Sequence, residues 1–313
     1  MNIVVFEGLA ALPVGERFLE GEAVALEGGG GIREAAYLGY RPDEGQLAPG
    51  PLMVSALKAD PPERSTHFHL ALLSVDSDGV VSRTTGELEP GVLEKLRTRT
   101  LVPIKGHGQN HALVWEDIGV VRAATPRELF GKSFGECLPE GDNERGLRRL
   151  IDDSFNLLAE TDTNRRLRDA GKAPANLLWP WGAGLRLPVP DLSLRRLASA
   201  RASSQSWRLA GLSRLAGYRH GPWHVSSSEP AELRVIRLPE DPEEALYDLN
   251  KWQEASRGED WAVVLIEGDK ATGLRTDRNP NREPFDERLL ENDRRPLSLW
   301  TWLDDAWTQI AEL

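Results

Sequence analysis

The sequence predicts an α/β protein in two domains, built on a parallel sheet that is covered by helices. The main observation is an alternation toward the C-terminus, where 233–237 reads as a strand, 242–256 as a helix and 261–266 as a strand. Such alternation is typical of parallel sheets, because the crossover between parallel strands is usually a helix. The 313 residues are enough for two domains, and the aperiodic, proline- and glycine-rich stretch 42–51 predicts a crossing between them.

The N-terminal half is predicted to contain strands first and a long helix later. Residues 2–6 form a short apolar run that is typical of a buried strand, and 67–75 and 111–115 are also strand-like. In 144–170 the apolar residues recur at helical spacing, which makes this segment the strongest predicted helix. Gly171 suits the position just after the end of that helix.

Two further elements follow the long helix. Residues 175–184 (ANLLWPWGAG) read as a buried strand that runs into a glycine turn. Residues 199–218 read as a weak strand followed by a helix that ends near Gly217.

Charge and composition exclude several classes of function. The formal net charge of -11 argues against nucleic acid and against an anionic membrane surface as the main partner, because both require a basic face. The single cysteine, Cys137, allows no intrachain disulfide. The apolar run at the N-terminus is too short for a signal peptide, and no stretch approaches 18 apolar residues. We therefore expect a cytoplasmic protein.

Three segments carry a resemblance to a known family. They are GPLMVSALKADPPERSTHFHLALLSVDSDG at 50–79, TPRELFGKSFGECLPEG at 125–141 and GKAPANLLWPWGAG at 171–184. The third is the most specific, because it matches the family pattern Gly-Lys-x-Pro-Ala-Asn-x-x-Trp-x-x-Gly-x-Gly. In order and spacing, over roughly 36–218, these segments resemble the cofactor-independent phosphoglycerate mutases of the archaeal type.

The resemblance implies a fold and an activity. It implies the alkaline-phosphatase superfamily, with a doubly wound, mostly parallel sheet formed by 1–48 plus 173–313 and a smaller α/β domain, 49–172, inserted into it. Members of this family interconvert 2- and 3-phosphoglycerate. They use a serine or threonine nucleophile and two divalent metals, which lower the pKa of the nucleophile and neutralise phosphoryl charge.

The expected nucleophile and most of the expected metal ligands are missing from the sequence. The family's first strand ends in a metal-binding aspartate, and the equivalent residue here is Glu7. The nucleophile position falls near Gly30, yet no serine or threonine occurs between Met1 and Val54. A phosphoenzyme cannot form there without a side-chain oxygen.

The C-terminal half departs further from the family pattern. Asp269 is kept, but no histidine follows His224, so the imidazole ligands of the two-metal site are absent. Glu7 and Asp269 remain as candidates for one weakly bound divalent metal such as manganese or magnesium. The family's Arg-x-Asn substrate residues are replaced by His67 and His69.

The resemblance and the residue chemistry together predict a cleft for a small phosphorylated or carboxylated ligand. Gly28–Gly31 is either a phosphate cradle with Arg33 as its charge partner or a flexible loop. His67 and His69 share one face of a strand, and with His111 they are either ligand-facing or metal-binding, or else simply polar positions. The candidate ligand-binding residues are Arg33, His67, His69, His111, Asn164, Lys172 and Asn176.

These observations favour a pseudoenzyme, a non-catalytic or altered homologue without a metal cofactor. One alternative is an active mutase or phosphatase with an unusual site. Another is a regulatory or scaffold protein that forms homo-oligomers or docks a protein partner through the tryptophan-rich segment 297–307. The Gly-x-Ser-x-Gly pattern at Gly131–Gly135 lacks the buried strand that a nucleophile elbow requires, so a serine hydrolase at that position is not favoured.

Overall fold

The computed structural model describes the middle of the chain almost continuously and the two ends in part. The described residues are 2–7, 23–25, 48–116, 118–119, 121–185, 201–204, 206–221, 233–237, 244, 247–248, 251, 261–267 and 270–276. The chain divides into two compact units. The first unit is Met1–Gln46 with Val189–Leu313, and the second unit is Leu47–Pro188.

The described elements are numbered in chain order. The strands are β1 (Asn2–Glu7), β2 (Ala23–Ala25), β3 (Ser65–Val75), β4 (Val81–Ser82), β5 (Leu101–His107), β6 (Asn110–Glu116), β7 (Val121–Arg122), β8 (Glu140–Gly141), β9 (Leu177–Gly184), β10 (Arg201–Ser204), β11 (Arg219–Gly221), β12 (Leu233–Arg237), β13 (Trp261–Glu267) and β14 (Lys270–Thr276). The helices are α1 (Pro49–Ala56), α2 (Val92–Leu96), α3 (Pro126–Leu129), α4 (Glu144–Ala159), α5 (Asp162–Asp169) and α6 (Trp207–Leu215), with a 3₁₀ turn at Phe134–Cys137.

The first unit contains the predicted, mostly parallel sheet. Within its described residues, seven strands lie in the order β11-β10-β12-β1-β13-β14-β2. The first five of these run parallel, whereas β14 and β2 are antiparallel to their neighbours. The strands predicted at 2–6, 233–237 and 261–266 are therefore confirmed. Because the five parallel strands point the same way, their carboxyl ends meet at one edge of the sheet.

The second unit is built on an antiparallel sheet centred on β3. This strand pairs with β6 and β9, β6 pairs with β5, and β4 pairs with the end of β3. All eleven residues of β3 are buried, because apolar clusters cover both of its faces. Phe68, Leu70 and Leu72 pack with leucines of α2 and α4, whereas Ala71 and Leu73 pack in a separate cluster that includes tryptophans of β9.

The predicted long helix is two helices in the structure. The helix predicted over 144–170 breaks after Ala159, and α5 begins at Asp162. Thr161 has extended backbone angles and its side chain accepts a hydrogen bond from the N–H of Asn164, so it caps a new helix. The prediction of one helix was wrong because the apolar pattern of α4 gave no sign of this cap.

The end of α5 follows the sequence-based expectation. Gly171 has a φ of 66°, in the left-handed region that favours glycine. Its N–H donates to the carbonyl of Arg168, and the N–H of Lys172 donates to the carbonyl of Leu167. This pair of bonds is a Schellman motif, and it confirms Gly171 as the residue just past the helix.

Strand β9 belongs to the second unit because it pairs with β3, Leu178 lying opposite Leu72. On the other side of β9, the N–H of Leu178 donates to Oγ of Ser154 in α4 at 3.2 Å, so this helix covers the strand's free side. The domain boundary that the resemblance implied, after residue 172, would instead assign β9 to the first unit. No helix in the described part of the chain is long and apolar enough to cross a membrane.

Candidate functional site

In the first unit, the carboxyl edge of the parallel sheet is the candidate site, because ligands of doubly wound folds bind beyond the carboxyl ends of the strands. Three adjacent strands, β12, β1 and β13, end there in charged residues. Glu7, the last residue of β1, lies opposite Arg237, the last residue of β12. On the other side of β1, Glu7 pairs with Ile266 of β13, and the last residue of that strand is Glu267. Two carboxylate residues and one guanidinium residue therefore end neighbouring strands.

The metal set implied by the resemblance does not fit the described residues. Two divalent cations require several carboxylates and imidazoles around them. No group of three or more histidine, cysteine, aspartate or glutamate residues in the described ranges can hold a metal ion. Arg237 brings a fixed positive charge to the register position beside Glu7. Asp269, Arg33 and Gly28–Gly31 lie outside the described residues.

In the second unit, His67 and His69 lie on β3 and share one face of the strand, as predicted. Both are buried, at 2% and 3% exposure. Nε2 of His67 lies 3.1 Å from Oγ of Ser65. The ring of His69 packs against Trp181, with ring centroids 4.9 Å apart and a tilt of 33°.

His111 lies on the opposite face of this sheet from the other two histidines. It is paired with Leu70, whereas His69 is paired with Ala112, and residues directly opposite each other share a face. Nδ1 of His111 accepts a hydrogen bond from the N–H of Gly106 at 3.0 Å. Burial lowers the pKa of His111 to about 4, and the positive charge of Lys105 acts in the same direction. The structure therefore does not bring the three histidines together, and His111 is neutral at neutral pH.

Asn164 is a structural tie between the end of α4 and the start of β9. Its Nδ2 donates to the carbonyl oxygens of Leu158 and Ala175 at 2.8 and 2.9 Å. Its Oδ1 accepts from the N–H of Ala175 at 2.6 Å. The side chain is 1% exposed, so the backbone uses the amide completely.

Asn176, which directly follows Ala175, has a similar role. Its Oδ1 accepts from the N–H of Val75 at 2.7 Å, and its Nδ2 donates to the carbonyl of the same residue at 2.8 Å. These bonds join the segment before β9 to the end of β3. Lys172, by contrast, contributes its N–H to the Schellman motif and is exposed. The most family-like segment, 171–184, thus contains residues that hold the sheet together.

One pair of side chains that could take part in a reaction was not predicted from the sequence. Oγ of Ser204, the last residue of β10, lies 3.0 Å from Nε2 of His220 on the neighbouring strand β11. No local motif marks these residues, which are 16 positions apart. The serine of the Gly-x-Ser-x-Gly pattern, Ser133, instead precedes the short 3₁₀ turn and does not end a buried strand.

Comparison with known proteins supports the resemblance. No protein-family model matches the sequence. The chain is 26% identical over 180 residues to 2,3-bisphosphoglycerate-independent phosphoglycerate mutase 2 of Methanothermobacter thermautotrophicus, covering 54% of this chain and 44% of that protein. It is 26% identical over 173 residues to the corresponding mutase of Methanothrix thermoacetophila, covering 52% of this chain and 43% of that protein. The chain thus spans less than half the length of these curated relatives.

Two solved structures share the fold. The cofactor-independent phosphoglycerate mutase from Thermoplasma acidophilum matches with a TM-score of 0.54 and 15% identity, covering 99% of this chain and 100% of the other. The PH0037 protein from Pyrococcus horikoshii matches with a TM-score of 0.59 and 12% identity, covering 99% and 97%. At these identities the likeness concerns the fold alone. The alkaline-phosphatase-like α/β fold that the resemblance implied is confirmed.

Proposed function

We propose that this chain, a distant relative of the cofactor-independent phosphoglycerate mutases, is not a two-metal mutase but binds a small anionic ligand. The ligand is a phosphorylated or carboxylated molecule held at the carboxyl edge of the parallel sheet. The observation that carries the proposal is the register of β1 and β12, in which Glu7 and Arg237 end neighbouring strands. Phosphoglycerate turnover is the activity for which the relatives are named, and for this chain it is the competing hypothesis.

A fixed cation at this edge favours anion binding without metal. A guanidinium stays protonated at all ordinary pH values and matches carboxylate and phosphate groups with two parallel hydrogen bonds. In this proposal Arg237 supplies the positive charge that the anion needs, and Glu7 on the neighbouring strand is its counter-charge when no ligand is bound.

Phosphoryl transfer by the family's route lacks two of its requirements in this sequence. Catalysis of that transfer depends on positioning and on cations that stabilise the developing charge. No histidine follows His224 to hold a second metal, and no serine or threonine occurs between Met1 and Val54 to act as nucleophile. These absences support ligand binding over turnover.

The test combines metal content, turnover and binding on one preparation of the full chain. We expect less than one manganese per chain after dialysis and no 2-phosphoglycerate from 3-phosphoglycerate. We also expect calorimetric binding of 3-phosphoglycerate that is weakened about tenfold or more in Arg237→Gln, since a charge-assisted hydrogen bond contributes about 1.5–3 kcal/mol.

The matched control is Arg219→Gln. Arg219 is an exposed arginine that begins β11, so the same charge is removed at the amino edge of the same sheet. Equal weakening in both variants would indicate a general charge effect and not a site at the carboxyl edge. About two metals per chain together with product formation would contradict the proposal.

A further inference from the structure

Ser204 and His220 form a hydroxyl–imidazole pair in the first unit. The 3.0 Å contact between Oγ and Nε2 is within hydrogen-bond distance. The N–H of Ser206 donates to the same Oγ at 3.1 Å. A second acceptor for the hydroxyl proton, the carbonyl of Ser206, is farther away at 3.5 Å. In the tautomer that carries the imidazole proton on Nδ1, the hydroxyl donates to Nε2, which is the arrangement that the proposal requires.

Ser204 lies where the chain reverses its direction of winding in the sheet, and His220 lies on the neighbouring strand on the outer side. From β10 the chain passes through α6 to β11 on one side, whereas from β12 it passes to β13 on the other side of β1. The carboxyl ends of β10 and β12 thus flank a topological switch point, where ligands of doubly wound folds bind. Ser204 is the last residue of β10 and lies opposite Val235 of β12, on this flank.

The local backbone matches the context that a nucleophilic serine requires. Ser204 ends a buried parallel strand, and α6 starts at Trp207 after a cap by Ser206, whose Oγ accepts from the N–H of Leu209 at 3.3 Å. The order of a strand and then a helix, with two residues between them, is that of a nucleophile elbow. Because the cap already uses the N–H of Leu209, an oxyanion would rely on the N–H groups of Trp207 and Arg208.

We propose that Ser204 and His220 are a nucleophile and general base that hydrolyse an ester of a small carboxylic acid. An acyl substrate is favoured over a phosphoryl one because neither side chain of the pair carries a fixed positive charge, and phosphoryl transfer depends on cations around the transferred group. Ser204 is 2% exposed, which restricts the acyl group to a small one. This inference uses neither Glu7 nor Arg237, so it does not rest on the anion-binding proposal.

The reaction balances with water as the only co-reactant. Oγ of Ser204 attacks the acyl carbon while its proton moves to Nε2 of His220. The bond to the alcohol then breaks, and the alcohol leaves with the proton from Nε2. A water molecule attacks the serine ester, His220 takes the water's proton, and Ser204 leaves with that proton as the carboxylic acid is released.

The first experiment treats the full wild-type chain with diisopropyl fluorophosphate, followed by intact mass measurement and peptide mapping. We expect one adduct per chain, on Ser204. With p-nitrophenyl acetate we expect an acetyl group on the same residue. Because this mapping uses the unaltered protein, no adduct, or an adduct on another residue, overturns the proposal even if a variant fails to fold.

Variants then test whether His220 acts as a general base or is only a structural contact of Ser204. We expect His220→Ala to lower the labelling rate about 100-fold, and added imidazole to restore part of it, which a merely structural role would not produce. The control is Ser203→Ala, since Ser203 precedes Ser204 on the same strand and faces the other side of the sheet. Equal labelling rates in His220→Ala and wild type, or no rescue by imidazole, would overturn the assignment of the base.

Discussion

The two units keep different parts of the family pattern. In the second unit, the family-like segment 171–184 retains its asparagine, and Asn164 and Asn176 use their amides to tie backbone segments together. In the first unit, the end of β1 carries Glu7 in register with Arg237, and the described residues contain no group of three metal-ligating side chains. This difference shows that residues of a family-like motif can have a structural role, here tying backbone segments together, that does not depend on the chemistry associated with the motif.

The sharpest test of a structural role in the second unit is Asn164→Ala. This change removes the side-chain partner of the carbonyl oxygen and the N–H of Ala175 at a position that is 1% exposed, whereas the carbonyl of Leu158 still accepts from Thr161. Each buried polar group without a partner costs about 1–3 kcal/mol. We expect a loss of about 4 kcal/mol in the free energy of unfolding, measured by urea denaturation.

Asn156→Ala is the matched control for this prediction. Asn156 lies exposed on α4, so its removal should change the free energy of unfolding by less than about 0.5 kcal/mol. If Asn164→Ala were as stable as this control but lost ligand binding, the asparagine would be a binding residue and the contrast between the units would fail.

A second test uses the pH dependence of stability. The pKa of His111 is about 4 in the folded chain against 6.5 for the free side chain, so the unfolded state binds the proton more tightly. The contribution of neutral His111 to the free energy of unfolding is therefore fully present above about pH 6.5, and it is lost as the pH decreases toward 4. The total effect is at most about 3.5 kcal/mol, at about 1.4 kcal/mol for each pKa unit.

Urea denaturation between pH 4 and 7.5 measures this dependence. His111→Gln should flatten the curve, whereas His107→Gln, an exposed neighbour on the same hairpin whose charge is the smallest cause of the shift, should change it only slightly. A curve that stays steep in His111→Gln would assign the dependence to other groups.

The smallest expected effect comes from a comparison of two helix ends in the second unit. Lys58, which follows α1, occupies the position that Gly171 occupies after α5. Its N–H donates to the carbonyl of Ser55 and its φ is 60°. A side chain in the left-handed region costs about 1 kcal/mol relative to glycine. Lys58→Gly should therefore raise the free energy of unfolding by about 1 kcal/mol in urea denaturation.

Lys58→Ala separates the backbone effect from loss of the lysine side chain. Alanine keeps the Cβ atom and hence the conformational cost, so this variant should match the wild type. A gain of stability in Lys58→Ala equal to that of the glycine variant would instead implicate the side chain.

Local patterns in the sequence predict individual elements well. The apolar runs of β1, β3, β12 and β13 and the glycine after α5 all indicate the correct element, because a strand face and a helix end depend on neighbouring residues. Thr161, which caps α5, is not revealed in this way, because a cap depends on backbone angles that an apolar pattern does not show.

Long-range features cannot be predicted in the same way. The pairing of β9 with β3, and the contact between Ser204 and His220, depend on which strands become neighbours in space. The predicted ligand set follows from motifs, whereas the register places His111 on the opposite sheet face from His69. The tryptophan-rich segment 297–307 lies outside the described residues, and its docking role remains a prediction.

The central position of β3 also has a consequence for synthesis on the ribosome. Val75 at its end is bound by Asn176, 101 residues later in the chain. At about 5–20 residues per second, translation of that interval takes roughly 5–20 s. During this time the nascent chain carries an apolar strand whose β9 side has no partner, which makes it a target for chaperones until β9 has left the exit tunnel.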